Sequence, residues 1–115
     1  MKGTKMKVVT DEDICKELWK YEAIDIERTH VREYSHPGVF GADVEAHFED
    51  DADLELVLGV SCDDDGEPVG IDSTYYHGDG DEDQNDWYPF SDYESLGEIL
   101  DGILKEGNIS TKRWK

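Results

Sequence analysis

Basic residues are scarce in this chain: eight lysines and three arginines stand against 30 acidic residues in 115, a formal charge of −19. No Lys or Arg occurs between Arg32 and Lys105, while positions 33 to 104 hold 22 carboxylates. A surface of that sign has no attraction for a nucleic acid backbone or an anionic membrane, which excludes both as direct partners. No apolar run approaches the roughly 20 residues of a membrane span, and the opening MKGTKMKVVTDED lacks the apolar centre of a signal peptide, so the expected location is cytoplasmic. Cysteine is limited to Cys15 and Cys62, without CxxC spacing and in apolar-patterned segments. That excludes a disulfide framework and predicts two buried thiols in a reducing compartment.

Motifs that carry chemistry are missing as well. His30, His36, His47 and His77 are scattered with no zinc spacing and no cysteine at motif distance, so they read as surface or strand residues. Ser73 and the Ser35-His36 pair have no nucleophile elbow around them, and no glycine-rich phosphate loop occurs. An EF-hand register begun at Asp79 puts Asp81 and Asp83 at the third and fifth positions, then fails because Gln84 replaces the glycine and Phe90 the bidentate Glu. Carboxylates are too numerous for a hydrolase pair to stand out. The expectation is a protein that is not an enzyme and has no cofactor or metal.

What the chain does have is regional acidity. Adaptation to high salt would spread acid evenly and favour Arg over Lys, neither of which holds here. Solvation of exposed loops covers residues 79 to 86 but not the absence of basic residues over 33 to 104. Aromatics reach 10%, with three Trp and six Tyr, which excludes wholesale disorder. The length suits one domain over residues 1–115.

Thr10 followed by Asp11, Glu12 and Asp13 is a helix start, a hydroxyl cap with carboxylates facing the positive end of the dipole. Ile14, Leu18 and Tyr21 mark the apolar face of a helix over 11–22. Strict alternation then predicts strands, with Phe40, Ala42, Val44, Ala46 and Phe48 inward and Asp43, Glu45 and His47 outward. Leu54, Leu56, Leu58, Val60 and Cys62 repeat the pattern and place Glu55 on the outer face of a hairpin partner. A turn over 63–68 leads to a third strand through Val69, Ile71, Ser73 and Tyr75, and a less regular strand falls around 26–34. Residues 77 to 86 read as a mobile acidic loop. Ser91 and Glu94 form a capping box for a helix carrying Leu96, Ile99, Leu100, Ile103 and Leu104, stopped at Gly107. The fold class is therefore α+β: an N-terminal helix, a three- to four-stranded antiparallel sheet and a C-terminal helix in a two-layer sandwich.

One sheet face then stays open and acidic. Outward residues along a strand recur every 6.8 Å or so, so Asp43 and Glu45 stand about one nucleotide step apart and imitate phosphates. Asp43, Glu45, Glu55, Asp63, Asp64, Asp65, Asp79, Asp81 and Asp83 are the candidate charged contacts. Tyr76, Trp87 and Tyr88, with Tyr75 beside them, are the candidate anchors, because charge steers association while desolvated aromatics hold it. The expected partner is a basic protein: a nuclease, deaminase, or CRISPR or restriction effector.

The Thr10-Asp-Glu-Asp-Ile14 helix start, the strand and turn Leu56-Val-Leu-Gly-Val60 to Asp65-Gly66, and the close from Ser91 to Gly107 with Trp114 resemble the small acidic immunity proteins of bacterial polymorphic toxin systems. That resemblance implies a helix-and-antiparallel-sheet fold and the blocking of a cognate toxin, and it transfers no binding residue. The leading expectation is an acidic inhibitor or immunity protein that occludes the cationic site of a nucleic-acid-processing toxin. The alternative is a phage-type DNA mimic acting on restriction or CRISPR machinery.

Overall fold

The computed structural model describes residues 9–36, 39–78, 80 and 82–114, with side chains throughout except at 34–36, 39–41 and 83. Helix α1 (Asp11–Leu18) begins where expected: the Thr10 hydroxyl accepts from Asp13 N and the Asp13 carboxylate accepts from Thr10 N, closing a reciprocal cap. It ends earlier than residue 22. The Trp19 indole donates to Thr29 O at 3.1 Å, and Tyr21 leaves the helix to bridge with Arg113.

Five strands follow as β1 (His30–His36), β2 (Val39–His47), β3 (Glu55–Cys62), β4 (Pro68–Tyr76) and β5 (Glu82–Pro89). They form one open antiparallel sheet in the order β1-β2-β3-β4-β5, one strand more than the sequence pattern indicates. The additional strand corrects the loop reading, since residues 82 to 86 pair with β4 from Tyr76↔Glu82 to Ser73↔Asp86. Strand β5 lies at the sheet edge, and its inward Gln84 and Asp86 hydrogen-bond to each other, so apolar alternation is absent there. Asp79 and Asp81, the rest of that acidic run, lie outside the described residues.

The inner face of the sheet carries Val44 and Ala46 from β2, Leu56 and Leu58 from β3, and Ile71, Ser73 and Tyr75 from β4, all buried. Ile14 and Leu18 of α1 and Ile99, Leu100, Ile103 and Leu104 of α2 (Leu96–Glu106) complete the same core. The alternation of β3 ends in an irregularity between Ser61 and Cys62, which turns Cys62 outward. Cys62 is thus exposed, against the expectation of a buried thiol, while Cys15 is buried as expected.

Helix α2 uses the second of two Ser-x-x-Glu repeats. Ser95, not Ser91, is the cap, accepting from Glu98 N at 3.1 Å, because Phe90–Asp92 forms a 3-10 turn first. The helix stops at Gly107 as expected, but the left-handed residue is the next one. Gly107 has φ −90°, and it is Asn108 that takes the left-handed conformation at φ 61°. Ile109 N donates to Leu104 O and Asn108 N to Lys105 O, the paired bonds of a Schellman cap. Among the described residues no helix is long and apolar enough to cross a membrane.

Candidate functional site: the open face of the sheet

Both helices pack on the inner face, so among the described residues no helix lies over the outward residues of the sheet, where the Asp43, Glu45 and His47 side chains are nevertheless only 15%, 18% and 17% exposed. The β2 register places Asp43, Glu45 and His47 on this face, and the β2–β3 pairing sets Glu55 directly opposite His47. These are the four residues that alternation assigns to it. Arg32 is the addition that alternation does not reveal. As the cross-strand partner of Asp43, it grips that carboxylate through Nε at 3.2 Å and Nη2 at 3.1 Å, and donates from Nη1 to Glu45 Oε1 at 3.1 Å. The last basic residue before the basic-free stretch therefore folds back onto the start of it. The Asp43 and Glu45 row is an ion-pair network rather than a bare ladder of charge.

His47 extends the network, its Nε2 standing 2.8 Å from Glu45 Oε2. The strand is pinned at this point: His47 N donates to the buried Thr29 hydroxyl at 3.0 Å, and Asp25 N donates to His47 O at 2.8 Å. Burial raises the affinity of Glu45 for a proton, but hydrogen bonds from His47 and Glu55 and the charge of Arg32 outweigh it and hold its pKa below the ordinary glutamate value. Glu55 moves the other way, raised first by burial and then by the adjacent Glu45 charge. Within this pair, Glu55 is the carboxyl that holds a proton more readily.

The aromatic half of the face is built across three strands. Trp87 of β5 is 52% exposed, yet its indole is fixed: Nε1 donates to Ser61 Oγ on β3 at 2.7 Å. To reach it the ring crosses Gly70 of β4, where an added Cβ would sit 2.7 Å from Nε1 and 2.9 Å from Cε2. Glycine is needed there so that the indole can lie flat on the backbone. Exposed Asp72 is the cross-strand neighbour of Trp87, and half-buried Tyr76 is that of Glu55.

The other candidate residues do not join this surface. Tyr88 points inward, 8% exposed, beside Tyr93 with ring centroids 6.1 Å apart. Burial, ahead of the charges of Asp86 and Glu106, pushes its phenol up to about 12. It is a core residue and not a surface anchor. Tyr75 is likewise in the core, donating to Ile103 O at 2.8 Å. Asp63, Asp64 and Asp65 occupy the β3–β4 turn, at the far end of β3 from Glu55, roughly 23 Å away for seven residues of strand. Asp63 holds that turn, its Oδ1 accepting from Asp65 N at 2.9 Å and Glu67 N at 3.0 Å, with Gly66 at φ 83°. Asp64 and Asp65 are exposed. Asp79 and Asp81 are outside the described residues, and Asp83 lies in β5 with its side chain outside them.

The candidate charged contacts thus split into a compact group on β2 and β3, tied by Arg32 of β1, and a separate acidic turn, with Asp72 on β4 and Trp87 on the edge strand β5. No family model, no curated protein and no solved structure matches this chain.

Proposed function

We propose that this protein is an acidic inhibitor of the immunity type, which binds the cationic site of a nucleic-acid-processing toxin and blocks it by occlusion without chemistry. The observation that supports this most is the presentation of Trp87 and the Asp43, Glu45, Glu55 and Asp72 carboxylates on one sheet face that no helix among the described residues covers. A sheet face with a hydrogen-bonded, exposed indole on the same side as these carboxylates combines long-range steering with a desolvated anchor. The grip of Arg32 on Asp43 and Glu45 favours this reading over the phosphate-mimic alternative, because a mimic of DNA needs an uncompensated charge row. Arg32 also offers a cation for one specific acidic group of a partner, which gives selectivity beyond net charge.

Charge reversal is best made at Asp72, which is exposed on this face opposite Trp87, rather than at Asp63, whose carboxylate holds the separate β3–β4 turn. The test uses the purified protein as bait in lysates of its source cells, at about 0.1 M and about 1 M salt, where the screening length falls from about 10 Å to 3 Å. The expected result is one basic nucleic-acid-processing enzyme, retained at low salt only and inhibited by the pure protein. Trp87→Ala should weaken that complex by about 2 kcal/mol or more. Unchanged affinity after Trp87→Ala combined with Asp72→Lys overturns the proposal.

A further inference from the structure

We propose that Glu45, His47 and Glu55 form a binding site for a divalent first-row transition ion, a function separate from partner inhibition. One ligand atom from each residue lies within 4.8 Å of the other two, on adjacent strands and on one face of the sheet. Two carboxylates and an imidazole are the donor set that such ions prefer, and the imidazole is what separates this cluster from the acidic turns, whose oxygen donors suit calcium or magnesium.

Around a tetrahedral ion with bonds near 2.1 Å the donors stand about 3.4 Å apart, so the side chains need to close by only an ångström or so. The backbone does not have to move. Glu45 and His47 are two residues apart on β2, Glu55 is the cross-strand partner of His47, and His47 is anchored through its N–H and C=O to Thr29 and Asp25. Arg32 holds Glu45 through Oε1 and leaves Oε2, the oxygen that faces His47, as the ligand atom. In the metal-bound state the ion takes the place of the His47 to Glu45 hydrogen bond, and Arg32 serves as the outer partner that orients the glutamate. All three side chains are half-buried on the outer face, His47 17% and Glu45 18% exposed, so the ion would be partly shielded from bulk water.

The test is calorimetric titration of the full chain with zinc chloride, with magnesium chloride as the comparison. The expected result is one zinc per chain and no comparable magnesium binding, with a loss of at least about tenfold in zinc affinity in both His47→Ala and Glu55→Gln. His77→Ala is the control, since His77 is exposed beyond the end of β4, and it should bind zinc as the parent does. Far-UV circular dichroism checks each variant, and Glu55→Gln, which keeps shape and removes only charge, carries the test if His47→Ala does not fold. Zinc bound equally by every variant would assign it to the acidic turns, and no binding by the parent would make the triad a hydrogen-bond network; either result overturns the proposal.

Discussion

Gly107→Ala separates helix propensity from packing, because the two give opposite signs. Gly107 has φ −90°, an ordinary value for any residue, so alanine there should stabilise by about 0.4–1 kcal/mol through the entropy of the unfolded chain. The structure predicts the reverse. A Cβ on Gly107 would lie 2.5 Å from Cζ and Oη of Tyr75 and 2.9 Å from Cε1. The ring cannot step aside cheaply: it is 3% exposed, stacked on Phe48 with centroids 6.4 Å apart, and tied to Ile103 O at 2.8 Å. Overpacking costs about 1–3 kcal/mol, and loss of the phenol bond about 0.5–1.5 kcal/mol. The net expectation is destabilisation by about 1–3 kcal/mol, read as a fall of roughly 1 M in the urea midpoint for a protein of this size. The same substitution in a Tyr75→Leu background, which lacks the ring tip, should lose most of its penalty. A Gly107→Ala protein as stable as the parent, or more so, would refute the argument.

Gly70→Ala should displace the Trp87 indole from Ser61, seen as a shift in tryptophan emission and a stability loss of about 1–3 kcal/mol, whereas Trp87→Ala at the exposed face should change stability by less. Burial raises the Glu17 pKa, but hydrogen bonds from Arg113 and Lys20 and their charges outweigh it, so the folded value lies below the ordinary 4.5. Its ionised form therefore stabilises the fold above the ordinary value, and that contribution is lost as pH falls through the folded pKa. Glu17→Gln should be less stable than the parent at pH 7, by no more than about 1 kcal/mol after solvent screening, and the gap measured by urea unfolding should close in acid.

The parts of the fold that the sequence makes legible are those where burial is one-sided. From Ala42 to His47 each inward residue is apolar and each neighbour is polar, and Leu54 to Leu58 keeps the pattern but for the outward Val57, so faces and strand existence follow directly. Strand β5 escapes such reading because its inward positions include Gln84 and Asp86, which bond to each other at 2.9 Å instead of packing. The helix starts show a second limit. Two Ser-x-x-Glu repeats four residues apart give the same local signal, and only the packing of the 3-10 turn selects Ser95. At the candidate site, alternation brings Asp43, Glu45, His47 and Glu55 together. It does not bring Arg32, because that contact depends on the register of β1 against β2. Tyr88 and Trp87 are adjacent aromatics, and which of them faces the core depends on the parity of a strand that alternation does not reveal.

The strand order also governs how the chain finds its structure. Every strand pairs with its neighbour in sequence, so the sheet is a series of hairpins, each closing a short loop and needing no prior long-range contact. The distant contacts are different in kind: they join the chain's two ends, through Arg113 to Glu17 at 2.9 Å and Tyr21 to Asp101 at 2.6 Å, across separations of 96 and 80 residues. Hairpin growth is a matter of microseconds, while closing the largest loop carries the greatest entropic cost. Docking of the terminal segments is thus the step with the largest loop to close, and the surface it covers is the apolar one, not the acidic face.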